Sequence, residues 1–236
     1  MSNKRFCRRL LSVVAVLLLA AAGDEARGRD KVRWQLGFNA IAGMPRGEFR
    51  DAIPDTRWGG SGFLTYRFRD TPFRFGGEMG LHGNGHVDVT LVGTRELAGE
   101  TEEGLLTSGI YFARFLTRVQ PVYGRWSPYV EGVFGLQGFD TSVVLKDCVG
   151  WCEISKFSSD TAVSLGGGGG IDFRLTGDDE GESGFSFEIG ARYLFGGEAE
   201  FYLPSDLPAL VRNVTPVPQR SRTAMVTISF GVVFDF

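Results

Sequence analysis

Apolar and polar side chains alternate with a period of two along much of the chain. In the C-terminal run, Ala224, Val226, Ile228, Phe230, Val232, Phe234 and Phe236 occupy every second position. The positions between them include Thr223, Thr227, Ser229 and Asp235. Because successive side chains of a β-strand point to opposite faces, this spacing predicts a strand with one apolar and one polar face. The same pattern predicts strands at residues 32–40, 163–173 and 185–193.

Four further strands are predicted from weaker alternation at residues 58–68, 73–81, 105–116 and 129–138. The first two form a hairpin in our interpretation, because pairing Phe68 with Phe73 places Tyr66 opposite Phe75 and so matches the apolar faces. The faces of segment 105–116 stay open. There, Ile110 and Phe112 compete with Tyr111 and Phe115 for the apolar side.

The connections between these eight strands alternate in length. Long ones span residues 43–57, 82–104, 139–160 and 195–222, and short ones span 69–72, 117–128 and 175–184. Ordinary soluble hairpins have no reason to alternate in this way. Bacterial outer-membrane barrels do, because they have short periplasmic turns and longer extracellular loops. The pattern therefore predicts an all-β fold, an eight-stranded antiparallel up-and-down transmembrane β-barrel.

The charged residues decide which face of the predicted sheet points inward. A carboxylate or guanidinium that faces hydrocarbon costs several kcal/mol, so the charged face should line the interior. An eight-stranded barrel leaves room inside for little more than side chains. We therefore expect a packed polar network rather than an open pore, made of Arg67, Arg74, Glu78, Glu131, Asp172, Arg174, Glu188 and Arg192.

Five consecutive glycines, residues 166–170, lie within the strand predicted at residues 163–173. We hypothesise that the inward glycines make room for Arg192 and Glu188 on the adjacent strand. Relief of barrel curvature is an equally open explanation. A phosphate-binding loop is excluded, because no Gly-Lys-Ser/Thr sequence and no predicted helix follow.

The N-terminal segment has the features of a secretory signal. Four basic residues precede an apolar stretch from Leu10 to Leu19, and Ala20 to Ala22 offer small residues for cleavage. A membrane anchor is the alternative, but the stretch from Leu10 to Ala22 is shorter than the ~20 residues that cross a bilayer as a helix. The prediction is a signal peptide at residues 1–22 and a barrel domain at residues 23–236.

Two cysteines follow the predicted signal, Cys148 and Cys152. In an exported protein, their spacing favours a disulfide that closes a small surface loop. A zinc site is the weaker alternative, since His82 and His86 lie far away in sequence and four ligands are needed. We expect no metal and no cofactor.

Composition narrows the function classes. Among 236 residues, 34 are glycine, 20 are phenylalanine and only 9 are proline, which argues against disorder. The formal net charge of −3 excludes a basic nucleic-acid binder. Two acidic stretches, residues 96–103 and 178–182, could attract divalent cations, but solvation explains them more simply.

The last strand carries the most specific resemblance. The run from Val226 to Phe236 resembles the final strand of the small outer-membrane barrels of the OmpA/OmpX/OmpW-like group, and residues 109–115 and 127–132 also look like strands of that group. The resemblance implies an address in the bacterial outer membrane. It also implies contact with outer-membrane lipid and recognition by the barrel-assembly machinery, with Phe230, Phe234 and Phe236 as the signal. The peptidoglycan-binding domain of longer OmpA proteins is not part of the resemblance.

Several functions stay open on the sequence alone. The leading expectation is a monomeric, non-enzymatic barrel that interacts with a ligand at the cell surface through its long loops. A narrow channel for small or hydrophobic solutes is the next. A lipid-modifying enzyme would use His82 or His86 with a serine such as Ser108 or Ser164. A secreted lipocalin-like barrel would reverse the polarity, with apolar residues inside.

Overall fold

The computed structural model describes residues 33–68, 71–92, 101–121, 124–145, 153–176, 183–201 and 218–236. Eight of its strands close into one antiparallel barrel, and two short strands pair separately. In chain order the elements are β1 Trp34–Pro45, α1 Glu48–Ala52, β2 Arg57–Arg67, β3 Phe73–Val92, β4 Thr101–Val119, β5 Trp126–Leu145, β6 Glu153–Thr176, β7 Gly184–Gly196, β8 Glu198–Phe201, β9 Gln219–Arg222 and β10 Met225–Asp235. Within these ranges, no helix is long and apolar enough to cross a membrane.

The barrel closes between its first and last strands. Reciprocal hydrogen bonds join Trp34 and Phe236 at N···O distances of 2.9 and 3.0 Å. The predicted hairpin register is confirmed, since Tyr66 lies opposite Phe75. We call the end that carries Trp34 and Phe236 the terminal end, and the opposite one the distal end.

The outer surface of the barrel is an apolar belt. Met79 is 70% exposed, and the other large apolar side chains on this surface include Trp58, Phe115, Phe134, Leu165, Ile189, Phe195 and Phe230. On β4, whose faces the sequence left open, Tyr111 and Phe115 point outward and Ile110 and Phe112 inward. The lipocalin-like polarity is wrong, because the charged side chains lie inside and this belt lies outside.

The predicted long connections at 82–104 and 139–160 are wrong in their bounds. The strands that flank them continue: β3 reaches Val92, β4 begins at Thr101, β5 reaches Leu145 and β6 begins at Glu153. These four strands have 19 to 24 residues, whereas β1, β2, β7 and β10 have 11 to 13. The long strands are neighbours, as are the short ones, so half of the barrel is about twice as tall as the other half.

Two short connecting structures cover the distal end. Helix α1 follows β1, and the β8–β9 sheet lies between β7 and β10. Together they form what we call the lid. Its apolar side chains, Phe49, Ile53, Ala199 and Phe201, cluster with Ile110, Phe139 and Ala162 of the barrel wall. The sequence pattern does not predict this helix, because five residues are too few to show a helical period.

Asp160 of β6 ties the lid to the tall half of the barrel. Its carboxylate accepts hydrogen bonds from the backbone N–H groups of Glu200 in β8 and Thr161, both at 2.7 Å. These two bonds favour the ionised form and lower the pKa of Asp160 below its ordinary value. The lid is therefore held by a polar contact as well as by apolar packing.

Some predictions fall outside the described residues. They concern the signal peptide at residues 1–22, the pair Cys148 and Cys152, and the acidic stretch at 178–182. These stay predictions.

Candidate functional site

The centre of the barrel interior is organised around Arg118 of β4, whose side chain is fully buried. One guanidinium nitrogen lies 2.8 Å from Glu188 of β7, and another lies 3.0 Å from Glu131 of β5. Gln35 of β1 accepts a further hydrogen bond at 3.3 Å. One side chain therefore links three well-separated parts of the barrel wall.

Glu131 extends this arrangement to a second arginine. Its other carboxylate oxygen accepts a hydrogen bond from Arg192 of β7. Arg192 also contacts Glu78 of β3 at 2.5 Å. We call the set Arg118, Glu131, Glu188, Arg192 and Glu78 the central network. Charged hydrogen-bonded pairs of this kind are strong where water is excluded.

A second group of charges lies toward the terminal end. Asp235 of β10 is 3.6 Å from Arg74 and 3.4 Å from Arg174. Asp172 accepts a 2.7 Å hydrogen bond from Gln120 and lies 4.0 Å from Arg118, which connects this group to the central network. The polar contacts thus continue from the terminal end to the middle of the barrel.

Aromatic rings and glycines complete the packing. The guanidinium of Arg118 lies 3.7 Å above the ring of Tyr129, a cation–π geometry. The hydroxyl of Tyr129 occupies space that a Cβ on Gly170 or Gly190 would need, so both glycines make room for this side chain. At Gly168, a Cβ would lie 2.7 Å from Cα and 2.8 Å from Cγ of Arg192, so the close approach expected between these two residues is present. The space at Gly170, however, serves Tyr129 and not Glu188.

The structure places all eight residues of the predicted network on the inner side of the barrel. Glu78, Glu131, Asp172, Glu188 and Arg192 meet in or beside the central network, whereas Arg74 and Arg174 belong to the terminal group. Arg67 is buried on β2 opposite Arg74.

Sequence reasoning missed Arg118, the most connected member. The predicted turn at 117–128 included it, but β4 continues to Val119 and β5 begins at Trp126. The available signal was the alternation itself, since Arg114, Leu116, Arg118 and Gln120 occupy every second position. Arg114 was missed for a different reason: it lies inside the predicted strand 105–116, whose inward face the sequence left open.

The histidines do not lie where the sequence suggested. His82 and His86 belong to β3, not to the start of a loop. The side chain of His82 is fully buried, with its ring 5.5 Å from that of Phe112. Ser164 is also buried, on β6, whereas the side chains of His86 and Ser108 lie outside the described residues. In the part of the chain that is described, no three His, Cys, Asp or Glu side chains are placed to hold a metal.

The closed eight-stranded barrel has a counterpart among solved structures. Neisserial surface protein A superposes with a TM-score of 0.51 and 15% sequence identity, over 86% of this chain and 97% of that chain. The fold is that of a small outer-membrane barrel. No family model and no curated protein sequence matches the chain.

Two other barrels match less closely. Ail of Yersinia pestis gives a TM-score of 0.39 with 13% identity, over 88% of this chain and 99% of that chain. The N-terminal barrel of Pseudomonas aeruginosa OprF gives 0.32 with 13% identity, over 89% and 100%. At these TM-scores neither adds to the argument.

Proposed function

We propose that the protein is an integral barrel of the bacterial outer membrane that presents a raised β-sheet to the cell surface and conducts no steady flow of solutes. The observation that carries the proposal is the difference in strand length between the two halves of the barrel. A strand needs ~9–11 residues to cross the membrane. The short strands meet that need with little excess, and the long strands exceed it by eight residues or more.

The excess length gives the protein a surface structure. At ~3.3 Å per residue and a tilt of ~45°, ten extra residues rise about 23 Å. The parts of β3 to β6 beyond the short strands form what we call the raised wall, in which β3 pairs with β4, β4 with β5 and β5 with β6, with bulges that interrupt the first and last of these pairings. Hydrogen-bonded strands hold residues in fixed positions, which suits contact with a macromolecular ligand better than long irregular loops would.

The ion pairs of the interior argue against the channel alternative. Arg118 and Arg192 reach carboxylates on the other side of the lumen, and the apolar side chains Leu116, Val133, Leu194 and Met225 pack together in the same interior. Moving an ion through this region would require separating buried ion pairs, which costs several kcal/mol for each pair that is broken.

The apolar outer surface of the barrel supports a location in the outer membrane. The apolar belt suits outer-membrane lipid, and Phe230, Phe234 and Phe236 all point outward on β10, available to the barrel-assembly machinery. We propose a monomer with no nucleic-acid partner and no catalytic activity. His82 and Ser164 are both buried, on strands β3 and β6 that are separated by two others in the barrel.

The proposal is tested with a variant that lacks the raised wall. Residues 87–106 and 143–156 are each replaced by Asn-Gly, which keeps the strand register below them and makes two tight hairpins. Both chains are expressed in a Gram-negative host. We expect both to enter the outer membrane and to migrate as heat-modifiable bands.

Function is then read from cell aggregation and from attachment to protein-coated surfaces. We expect cells with the parent chain to aggregate or attach more than cells with the variant. Equal behaviour of the two strains would contradict the surface role. A steady conductance of the folded parent protein in planar bilayers would favour the channel instead, and phospholipid hydrolysis that depends on His82 would favour an enzyme.

A further inference from the structure

The buried acids of the described interior are all engaged by arginines other than Arg114. Glu78 contacts Arg192, and Glu131 contacts Arg118 and Arg192. Glu188 and Asp172 are near Arg118, and Asp235 lies near Arg74 and Arg174. Among the residues that the structure describes, the positive charge of Arg114 is therefore left without an ion-pair partner.

Arg114 is nevertheless deeply buried, with 5% of its surface exposed. Its Nε and one terminal nitrogen, Nη2, donate no hydrogen bond to any of the described residues. The guanidinium lies 3.8 Å from the ring centre of Phe112, which provides a cation–π contact but no acceptor oxygen. Glu78 is the carboxylate with the largest electrostatic effect on Arg114, yet it already pairs with Arg192 at 2.5 Å.

This arrangement is costly for the chain by itself. A guanidinium cannot shed its proton in a protein, so it stays charged when buried. An N–H donor that is buried without an acceptor destabilises the fold by an amount comparable with a lost charged hydrogen bond. A negatively charged hydrogen-bond acceptor beside such a group would remove this cost.

The surroundings of Arg114 are basic on one side and apolar on the other. Arg57 of β2 and Arg114 of β4 both lie within electrostatic range of the buried ring of His82, which belongs to the strand between them. Ser61 of β2 is buried nearby, opposite Gly80, and its hydroxyl has no protein partner. Toward the distal end, the aromatic rings of the lid close this region.

We propose that the donors of Arg114 bind a small monovalent inorganic anion, such as chloride or bromide, inside the barrel beneath the lid. The anion accepts hydrogen bonds from Nε and Nη2 and neutralises the charge that the buried carboxylates leave unbalanced. A small spherical ion suits a site enclosed by Phe112 and His82 better than an organic acid does. The inference does not depend on the proposed surface role.

The test uses the purified mature chain, folded in detergent. Thermal unfolding is followed by circular dichroism and by the heat-dependent gel shift, in sodium bromide and in sodium gluconate at equal ionic strength. A ligand that binds only the folded state raises the unfolding temperature in a saturable way, by about 5–11 °C when the anion is at 100 times its Kd. We expect that rise with bromide and not with gluconate.

Two arginine variants separate specific binding from a general salt effect. Arg114→Met keeps an apolar stem against Phe112 and removes the donors, so the bromide-dependent rise should vanish. Arg220→Met is the control, because Arg220 is exposed and pairs with Glu198 at 3.1 Å in the lid. The control should keep the full rise. An equal rise in Arg114→Met would overturn the proposal.

Crystallography with bromide gives a direct readout that does not require a variant to fold. We expect an anomalous peak within about 3.5 Å of the Arg114 guanidinium in bromide-soaked crystals of the parent chain. A well-ordered interior without a peak at that position would refute the assignment. If Arg114→Met does not fold, Arg114→Lys retains the charge but not the paired donors, and we expect its Kd for bromide to be at least tenfold weaker.

Discussion

Arg118 and Glu188 form an ion pair across the lumen, with Nη1 2.8 Å from Oε2, although their strands β4 and β7 are separated by two others in the barrel. A pair between adjacent strands would line the wall and leave the centre free. This pair occupies the centre, and Glu131 joins it to Arg192. The centre of the lumen is therefore filled by a few charged groups that reach inward from distant strands.

Loss of Arg118 should destabilise the barrel strongly. Among the described residues, Arg118→Met leaves the buried carboxylate of Glu188 with a hydrogen bond from Asn39 alone, and removing one member of a buried pair costs about 3–5 kcal/mol. Chemical unfolding in detergent measures the loss. Arg220→Met provides the exposed control, with an expected change within about 0.5 kcal/mol.

A double-mutant cycle checks that the pair is responsible. Glu188→Gln in the Arg118→Met background should restore part of the stability, because a neutral amide tolerates burial without a cation better than a carboxylate does. Strict additivity of the two substitutions would show that the pair contributes no coupling energy.

A side chain at Gly168 should be poorly tolerated. An added Cβ would lie 2.7 Å from Cα of Arg192 and would force the two strands apart or displace the guanidinium from Glu131. Gly168→Ala is expected to lower the free energy of unfolding by about 1–3 kcal/mol. Gly62→Ala is the matched control, since a Cβ there meets Phe38 at an ordinary 3.5 Å on the outer surface. Equal losses in the two variants would contradict close packing at Gly168.

The contact between Asp160 and the lid should depend on pH. The folded-state pKa of Asp160 is lowered, so the contact contributes its full stability above the unfolded pKa of about 3.9. That contribution is lost as the pH falls through the lower, folded-state pKa. The amide proton of Glu200, which donates to this carboxylate, should report the titration by NMR. In Asp160→Asn the acid-dependent shift should be absent, and its persistence would assign the effect to another group.

The lid should open without unfolding the barrel. Phe49 is buried against Phe139 and Phe201, with ring centres 6.0 and 5.6 Å apart, and Phe49→Ala removes both contacts. We expect faster proteolysis within residues 46–56 and an almost unchanged unfolding temperature, because a small unit can open locally at a lower cost than the whole fold. Phe49→Leu should resist cleavage better. Parallel losses of lid protection and barrel stability would show that the two form one cooperative unit.

The sequence predicted the barrel and its polarity because both follow from a local rule. Alternation in β10 separates Phe230 from Ser229, and the cost of charge in hydrocarbon assigns the two faces. The partners inside depend instead on which strands lie across the lumen. Nothing local to Arg118 indicates that Glu188, 70 positions away, lies beside it.

Strand ends were harder to predict than strand centres. Segment 82–104 looked like a loop because Gly83-Asn84-Gly85 has the composition of a turn, although Val87, Val89 and Leu91 alternate with polar residues and β3 continues to Val92. The lid escaped prediction because the elements that carry Phe49 and Phe201 have only five and four residues, too few to show a period. Their common cluster exists only after the barrel has brought their segments together.

The unequal height of the two halves makes the distal end of the barrel asymmetric. Helix α1 and the β8–β9 sheet both arise from the low half, formed by β1, β2, β7 and β10, and they rest on Ile110, Phe139 and Ala162 of the tall half. Among the described residues, the tall half therefore borders the lid on one flank only. A large molecule that approaches the distal end from solvent meets two surfaces, the upright raised wall and the flatter lid. It must be correctly oriented to contact both at once.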